Sequence, residues 1–173
     1  FVIIILLGCS SNSIETIENK IDVNQLIELN NFRSIKVDSL FQISFPKSFT
    51  PTKYLSEEAI LQFNNLSKEQ HLVILNEHEN SNRIELKELL GKIVSIIECT
   101  NEKTNSSDQE GMSLEQYSCD AKGISSIEEY SYWVTRFRWL SESYIVCRWT
   151  LKSQKEEFIN EAKLIEQSVV LIR

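Results

Sequence analysis

The sequence predicts an α+β protein: an antiparallel β-sheet with helices packed on its faces. Short segments alternate apolar and polar residues, as Phe41, Ile43 and Phe45 do against Gln42 and Ser44, which is the pattern of half-buried strands. Two longer segments, 82–98 and 153–169, instead repeat apolar residues at helical spacing. The order is three strands, a helix, three strands and a helix, with connections short enough for hairpins and therefore for antiparallel pairing.

Residues 1–7 (FVIIILL) are apolar throughout and too few to cross a bilayer. A short apolar run closed by Gly8 reads as the end of a secretory signal whose charged start lies upstream. Leu6-Leu7-Gly8-Cys9 resembles the lipobox of bacterial lipoproteins, in which the thiol carries a diacylglycerol and the chain is cut just before the cysteine. The resemblance implies 1–8 as a signal remnant, Cys9 as the lipidated first residue, and a membrane-tethered protein of the bacterial cell envelope, facing the periplasm or the surface. The Ser/Asn-rich residues after Cys9 suit a solvated tether. A signal-anchor or an ordinary secretory signal is the alternative. Ile14, Ile17, Ile21, Leu26 and Leu29 recur among charges, so 9–34 is expected to hold the tether and a short helical segment, with the domain proper at 35–173.

From Ile35 the period is two, and Pro46 ends the strand through Phe45 or confines it to an edge. Residues 59–66 and 71–76 flank the polar Ser67-Lys68-Glu69-Gln70 and read as a hairpin. Asn82 and Glu85 form a capping-box pattern for a helix over 82–98, with Leu86, Leu89, Leu90, Ile93, Val94 and Ile97 on one face. Residues 101–111 (NEKTNSSDQEG) hold no apolar side chain and read as a solvated loop. Strands follow at 114–123, 129–140 and 144–151, and Ser153 with Glu156 caps a last helix carrying Phe158, Ile159, Ala162, Ile165 and Val169 inward.

This element order, with the segment Phe41-x-Ile43-x-Phe45-Pro46-x-x-Phe49 and a closing strand pair before the final helix, resembles the PsbP-like family, DcrB-like envelope lipoproteins among them. The resemblance implies an α/β/α sandwich over 35–173 and a protein that binds or assists assembly rather than one with a shared catalytic centre. Phe49 stands where family members often place Trp.

Composition narrows the function. A chain of 173 residues with 42% apolar and 25% charged side chains is an ordinary globular one. Its net charge of −7 disfavours nucleic acid, and four glycines leave little material for phosphate-binding loops. All three tryptophans and three of the arginines lie in 133–149. With 141–143 as a three-residue turn, Trp133, Phe137, Trp139, Ile145, Cys147 and Trp149 share one sheet face. Tyr132, Arg136, Arg138, Val146 and Arg148 share the other, where Arg136 faces Arg148. Such a like-charge pair needs a counter-charge. Either an acid from a neighbouring strand (Glu115, Asp120, Glu128, Glu129) or a covering helix supplies it, or Arg136, Arg138 and Arg148 form a site for a small anionic ligand or an acidic envelope partner.

His71 and His78 sit too far apart along a strand to share a metal, and Glu77-His78-Glu79 reads as solvated charge or a surface cation site. No nucleophile lies beside a histidine in a recognisable local signature, so neither a metal, a cofactor nor a catalytic residue is expected. Beyond Cys9, the thiols of Cys99, Cys119 and Cys147 are odd in number and match no zinc spacing. They are buried free thiols, or one disulfide forms, Cys119 with Cys147 or Cys99 with Cys119. The expected function is a lipid-anchored, non-catalytic binding or assembly module. The rival readings are an anion-binding lipoprotein and an enzyme whose site converges only in three dimensions.

Overall fold

The computed structural model describes residues 31–37, 41–77, 84–109, 111–123 and 126–172. Cys9, the helical repeat expected at 14–29, Asn82 and His78 lie outside them. The described residues form two antiparallel sheets and two helices. Strands β1 (Phe32–Lys36) and β2 (Phe41–Pro46) pair, and β10 (Val170–Leu171) adds to the other side of β2. The larger sheet contains β3 (Thr50–Pro51), β4 (Leu61–Asn65), β5 (Gln70–Asn76), β6 (Ile96–Gln109), β7 (Met112–Gly123), β8 (Glu129–Trp139) and β9 (Glu142–Leu151). Its spatial order is β3-β4-β5-β9-β8-β7-β6, which leaves β6 at an edge. Helix α1 (Leu86–Ile93) precedes β6, and α2 (Lys155–Gln167) follows β9 after a 3₁₀ turn, Lys152–Gln154.

The helices cover opposite faces of the large sheet, as in an α/β/α sandwich. Alternation along β5, β7, β8 and β9 divides their side chains into two cores. Leu86, Leu89, Leu90 and Ile93 of α1 pack with Val73, Tyr117, Cys119, Tyr132, Val134, Ile145, Cys147 and Trp149. On the other face Phe158, Ala162 and Ile165 of α2 join Leu72, Ile74, Leu114, Phe137, Tyr144 and Val146. The small sheet shares that second face. Phe41 stacks on Tyr144 with centroids 4.5 Å apart, and Phe45 meets Phe63 at 4.4 Å. Ser168 at the end of α2 fastens β2 by accepting the Ser44 N–H at 2.9 Å.

Five expectations change. The first strand opens at Phe32, three positions before the expected domain start, because Phe32 is buried and pairs with Pro46. Helix α1 stops at Ile93, where Val94 turns extended (φ −130°, ψ 129°) and the β-branched run onward joins β6. The last helix is preceded by Gln154 without a side-chain cap bond, and Ser153 sits in the 3₁₀ turn. The expected loop 101–111 is most of β6, paired along its length to β7 from Lys103↔Ser118 to Gln109↔Met112. Its turn uses Gly111 at φ +82°, a conformation that glycine adopts at little cost.

The fifth change alters the site. Trp139 pairs with Glu142, so the β8–β9 turn has two residues, Leu140 (φ 53°) and Ser141, instead of three. Arg136 therefore faces Ile145, and Arg148 faces Trp133. An odd shift of register moves one strand's side chains to the opposite face relative to its neighbour. The expected single face of indoles is split: Trp133 and Trp139 point to the α2 side and Trp149 to the α1 side. Arg136 and Arg148, expected face to face, lie on opposite sides of the sheet.

Candidate functional site

On the α1 face, Arg136 projects from β8 beside Glu115 of β7, its direct cross-strand neighbour. Its guanidinium donates to Glu115 Oε2 at 2.7 Å, to Glu77 Oε1 at 2.7 Å and to the Ile84 carbonyl at 2.7 Å. Glu77, just beyond β5, also accepts from Ser143 Oγ at 2.9 Å. Arg136 is only 2% exposed, so two carboxylates hold a desolvated cation. Because Ile84 lies two residues before α1, the same side chain ties the start of that helix to the sheet.

Alongside, Lys87 of α1 donates to Glu102 of β6 at 2.8 and 3.0 Å, and Tyr117 Oη donates to Glu102 Oε2 at 3.0 Å. The Lys87 bond and the Tyr117 hydroxyl hold the Glu102 carboxyl below its usual range, and burial raises the Tyr117 phenol above its own. These groups wall an open groove of about 910 Å³ between α1 and the β6–β7 hairpin, with Arg136 at its base and Thr104 and Ser106 on the β6 side. Glu102 reaches it from an irregular stretch of β6, where pairing shifts between Thr100 and Lys103 and Asn101 adopts φ 54°.

Arg148 works on the α2 face. It donates to the Ala162 carbonyl within α2, to Thr135 Oγ1 at 2.8 Å and to Glu166 Oε2 at 3.2 Å. Thr135 donates to the same Glu166 oxygen at 3.0 Å, and the Gln116 amide donates to the other. A second cavity of about 480 Å³ lies here, lined by Lys103, Trp133, Arg148, Lys163 and Glu166. Both arginines thus have internal carboxylates, Glu115 from a neighbouring strand and Glu166 from a covering helix, which were the two sources the sequence offered. Arg138 is half-buried between Ser113 and Ser143 and on the Arg136 side. The three arginines form no common patch.

His71 of β5 stacks on Trp149 with centroids 5.0 Å apart. Its Nδ1 is buried without a hydrogen-bond partner, and burial pulls its pKa from 6.5 to about 4. A depressed histidine keeps its full contribution to stability above the unfolded value of 6.5 and loses it as pH falls toward 4, because the unfolded chain takes the proton first. Between pH 7 and about pH 4.5 this group should remove about 2–3 kcal/mol. Urea titrations should therefore show that His71→Phe, which keeps the stack, loses less stability over that interval than the parent. Equal losses would mean that His71 is not held neutral.

Asp120 is also 2% exposed. Burial raises its pKa, yet hydrogen bonds from Lys155 at 2.8 Å, Ser131 at 2.6 Å and Asn101 at 2.9 Å together lower it. Among the described residues, no group of three or more His, Cys, Asp or Glu side chains is placed to hold a metal ion. The thiols of Cys99, Cys119 and Cys147 are free, and burial raises those of Cys119 and Cys147 to about 12. No described helix is long and apolar enough to cross a membrane.

No protein-family model and no curated protein matches the chain. Solved structures do. Cyanobacterial PsbP (CyanoP) from Synechocystis sp. PCC 6803 superposes with a TM-score of 0.56 at 10% identity, covering 82% of this chain and 93% of that one. The Ran-binding protein Mog1p of Saccharomyces cerevisiae superposes with a TM-score of 0.50 at 10% identity, covering 82% and 96%. At such identities the likeness is one of fold. Together with the antiparallel sheet and its helix on either face, it gives this chain the PsbP-like fold.

Proposed function

We propose that this chain is a lipid-anchored protein of the bacterial envelope whose domain is a non-catalytic binding or assembly module, receiving a protein partner in the groove between α1 and the β6–β7 hairpin. The observation that carries the reading is β6 itself. It is a 14-residue edge strand, with 101–108 exposed, running along that groove. An edge of this kind offers unpaired backbone donors and acceptors to an extended segment of another chain, and the adjacent groove supplies side-chain specificity. The groove's ion pairs, Arg136 with Glu77 and Glu115 and Lys87 with Glu102, make a preset polar wall suited to recognition. Carboxylates outnumber cations there, which favours a segment rich in amides or basic side chains. Mog1p, with the same fold, is a Ran-binding protein and so a precedent for protein recognition. The anchor rests on Leu6-Leu7-Gly8-Cys9. A small anionic ligand on Arg136, Arg138 and Arg148 is the weaker reading, because Arg136 would have to surrender Glu77 or Glu115 to it.

Photo-crosslinking in a bacterial envelope tests this. The full chain carries a benzophenone side chain at Thr104 or Ser106 in the groove, or at the exposed Ile127 on the β7–β8 connection as a control. Adducts of one mass are expected from positions 104 and 106 and not from 127, and labelled fatty acid should be incorporated by the parent chain and not by Cys9→Ser. Equal adducts from all three positions would overturn the groove, and a parent chain that takes up no labelled fatty acid would overturn the lipid anchor.

A further inference from the structure

Cys99 and Cys119 lie on adjacent strands, β6 and β7, and on the same face of the sheet, beneath α1. Cys99 pairs with Ala121, which puts Cys119 at the diagonal position two residues along. Their Sγ atoms are 2.8 Å apart, less than an ångström beyond the ~2.04 Å of a disulfide bond. The two thiols differ in access. Cys119 is 3% exposed, whereas Cys99 is partly exposed and lines a cleft of about 360 Å³ with Lys87, Glu88, Gly91 and Ile96, open at the edge of α1. Cys147 is fully buried on β9, between Val73 and Val134. One thiol can therefore be reached from solvent, one stands behind it in bonding range, and the third is shut away.

We propose that Cys99 and Cys119 are a redox pair that closes to a cross-strand disulfide by exchange with a small disulfide of the glutathione type, stapling the β6–β7 hairpin that forms one wall of the groove. The Cys99 thiolate attacks one sulfur of the incoming disulfide, breaking its S–S bond and releasing the first small thiol. The Cys119 thiol then gives up its proton and attacks the Cys99 sulfur of the mixed disulfide, expelling the second small thiol. Two protein thiols are oxidised and one small disulfide is reduced to two thiols, with the protons carried by the products. Because the buried Cys119 thiol resists ionisation, it is suited to the second, intramolecular step and not to the first. The staple joins Cys99, just before the Thr100–Lys103 irregularity from which Glu102 enters the groove, to Cys119, which lies opposite that irregularity on β7, so oxidation fixes the wall that carries Glu102 and Tyr117.

The test uses the full chain carrying Cys9→Ser, which leaves three thiols, incubated with oxidised glutathione at about pH 8. The expected product is about 2 Da lighter, its peptide map joins Cys99 to Cys119, and one thiol, Cys147, reacts with alkylating agent after denaturation. Its unfolding midpoint should rise by about 5–10 °C, as for a bond closing a loop of this length. Cys119→Ser should stop at one glutathione on Cys99, and Cys99→Ser should take up none. A glutathione adduct that persists on the three-thiol chain, a cross-link that includes Cys147, or an unchanged mass would each overturn the proposal.

Discussion

Arg148→Met should lower the unfolding free energy by about 3–5 kcal/mol. The guanidinium is 1% exposed, so its removal strands the groups gathered around it rather than returning them to water. Glu166 would keep its charge against the sheet with Thr135 and Gln116 as neutral donors only, and the Ala162 carbonyl would lose a charged donor. Methionine fills much of the space, which isolates the electrostatic loss from cavity formation. The companion variant is decisive about cause. A buried ion pair gains little over a well-packed apolar pair, so Arg148→Met with Glu166→Leu should recover most of the loss. Urea unfolding of the parent, the two single variants and the double variant measures the coupling. A single-variant cost under about 1 kcal/mol would mean that Arg148 is not the counter-charge the buried network needs.

Phe41→Ala should be of similar size, about 3–5 kcal/mol, by a different mechanism. Phe41 is fully buried, stacked at 9° on Tyr144 and 6.1 Å from Phe137. It belongs to β2 and its ring partners to β9 and β8, so it spans the seam between the small sheet and the large one. Its loss combines the transfer free energy of a whole ring with a cavity that two rigid sheets cannot collapse. Phe41→Leu should retain more than half of the stability. Tyr54→Ala, at a side chain 95% exposed, should change it by less than about 0.5 kcal/mol. Thermal unfolding of the three variants checks the order; a Phe41→Ala protein as stable as Tyr54→Ala would mean that the seam is not packed as described.

These two residues differ in how far the sequence announced them. The alternation Phe41, Ile43, Phe45 marked β2 and its buried side, and the strands carrying Tyr144 and Phe137 were equally plain. The apolar face of α2 was readable for the same reason: burial imposes a period, and the period can be read. β6 was missed because an exposed edge strand is under no such demand; its residues 101–108 are polar and held by backbone pairing to β7. The register of β8 and β9 was missed because Leu140 occupies a left-handed conformation, where Gly or Asn would have signalled a tight turn and leucine does not. That single residue decides whether Arg136 and Arg148 meet. The sequence did raise the question of their counter-charges, and Glu115 was among the acids it offered. Lys87, Glu102 and Tyr117 could not have been grouped, since a helix, a strand irregularity and a neighbouring strand bring them together and no local motif links them.

The two arginines act on separate faces, Arg136 holding the start of α1 through Ile84 and Arg148 holding α2 through Ala162 and Glu166. Amide hydrogen exchange under native conditions, read by mass spectrometry on Arg136→Met and Arg148→Met, tests it most directly. Arg136→Met should speed exchange first in 84–93 with α2 still protected, and Arg148→Met should do so first in 155–167 with α1 still protected. Faster exchange in the same helix in both variants would contradict it.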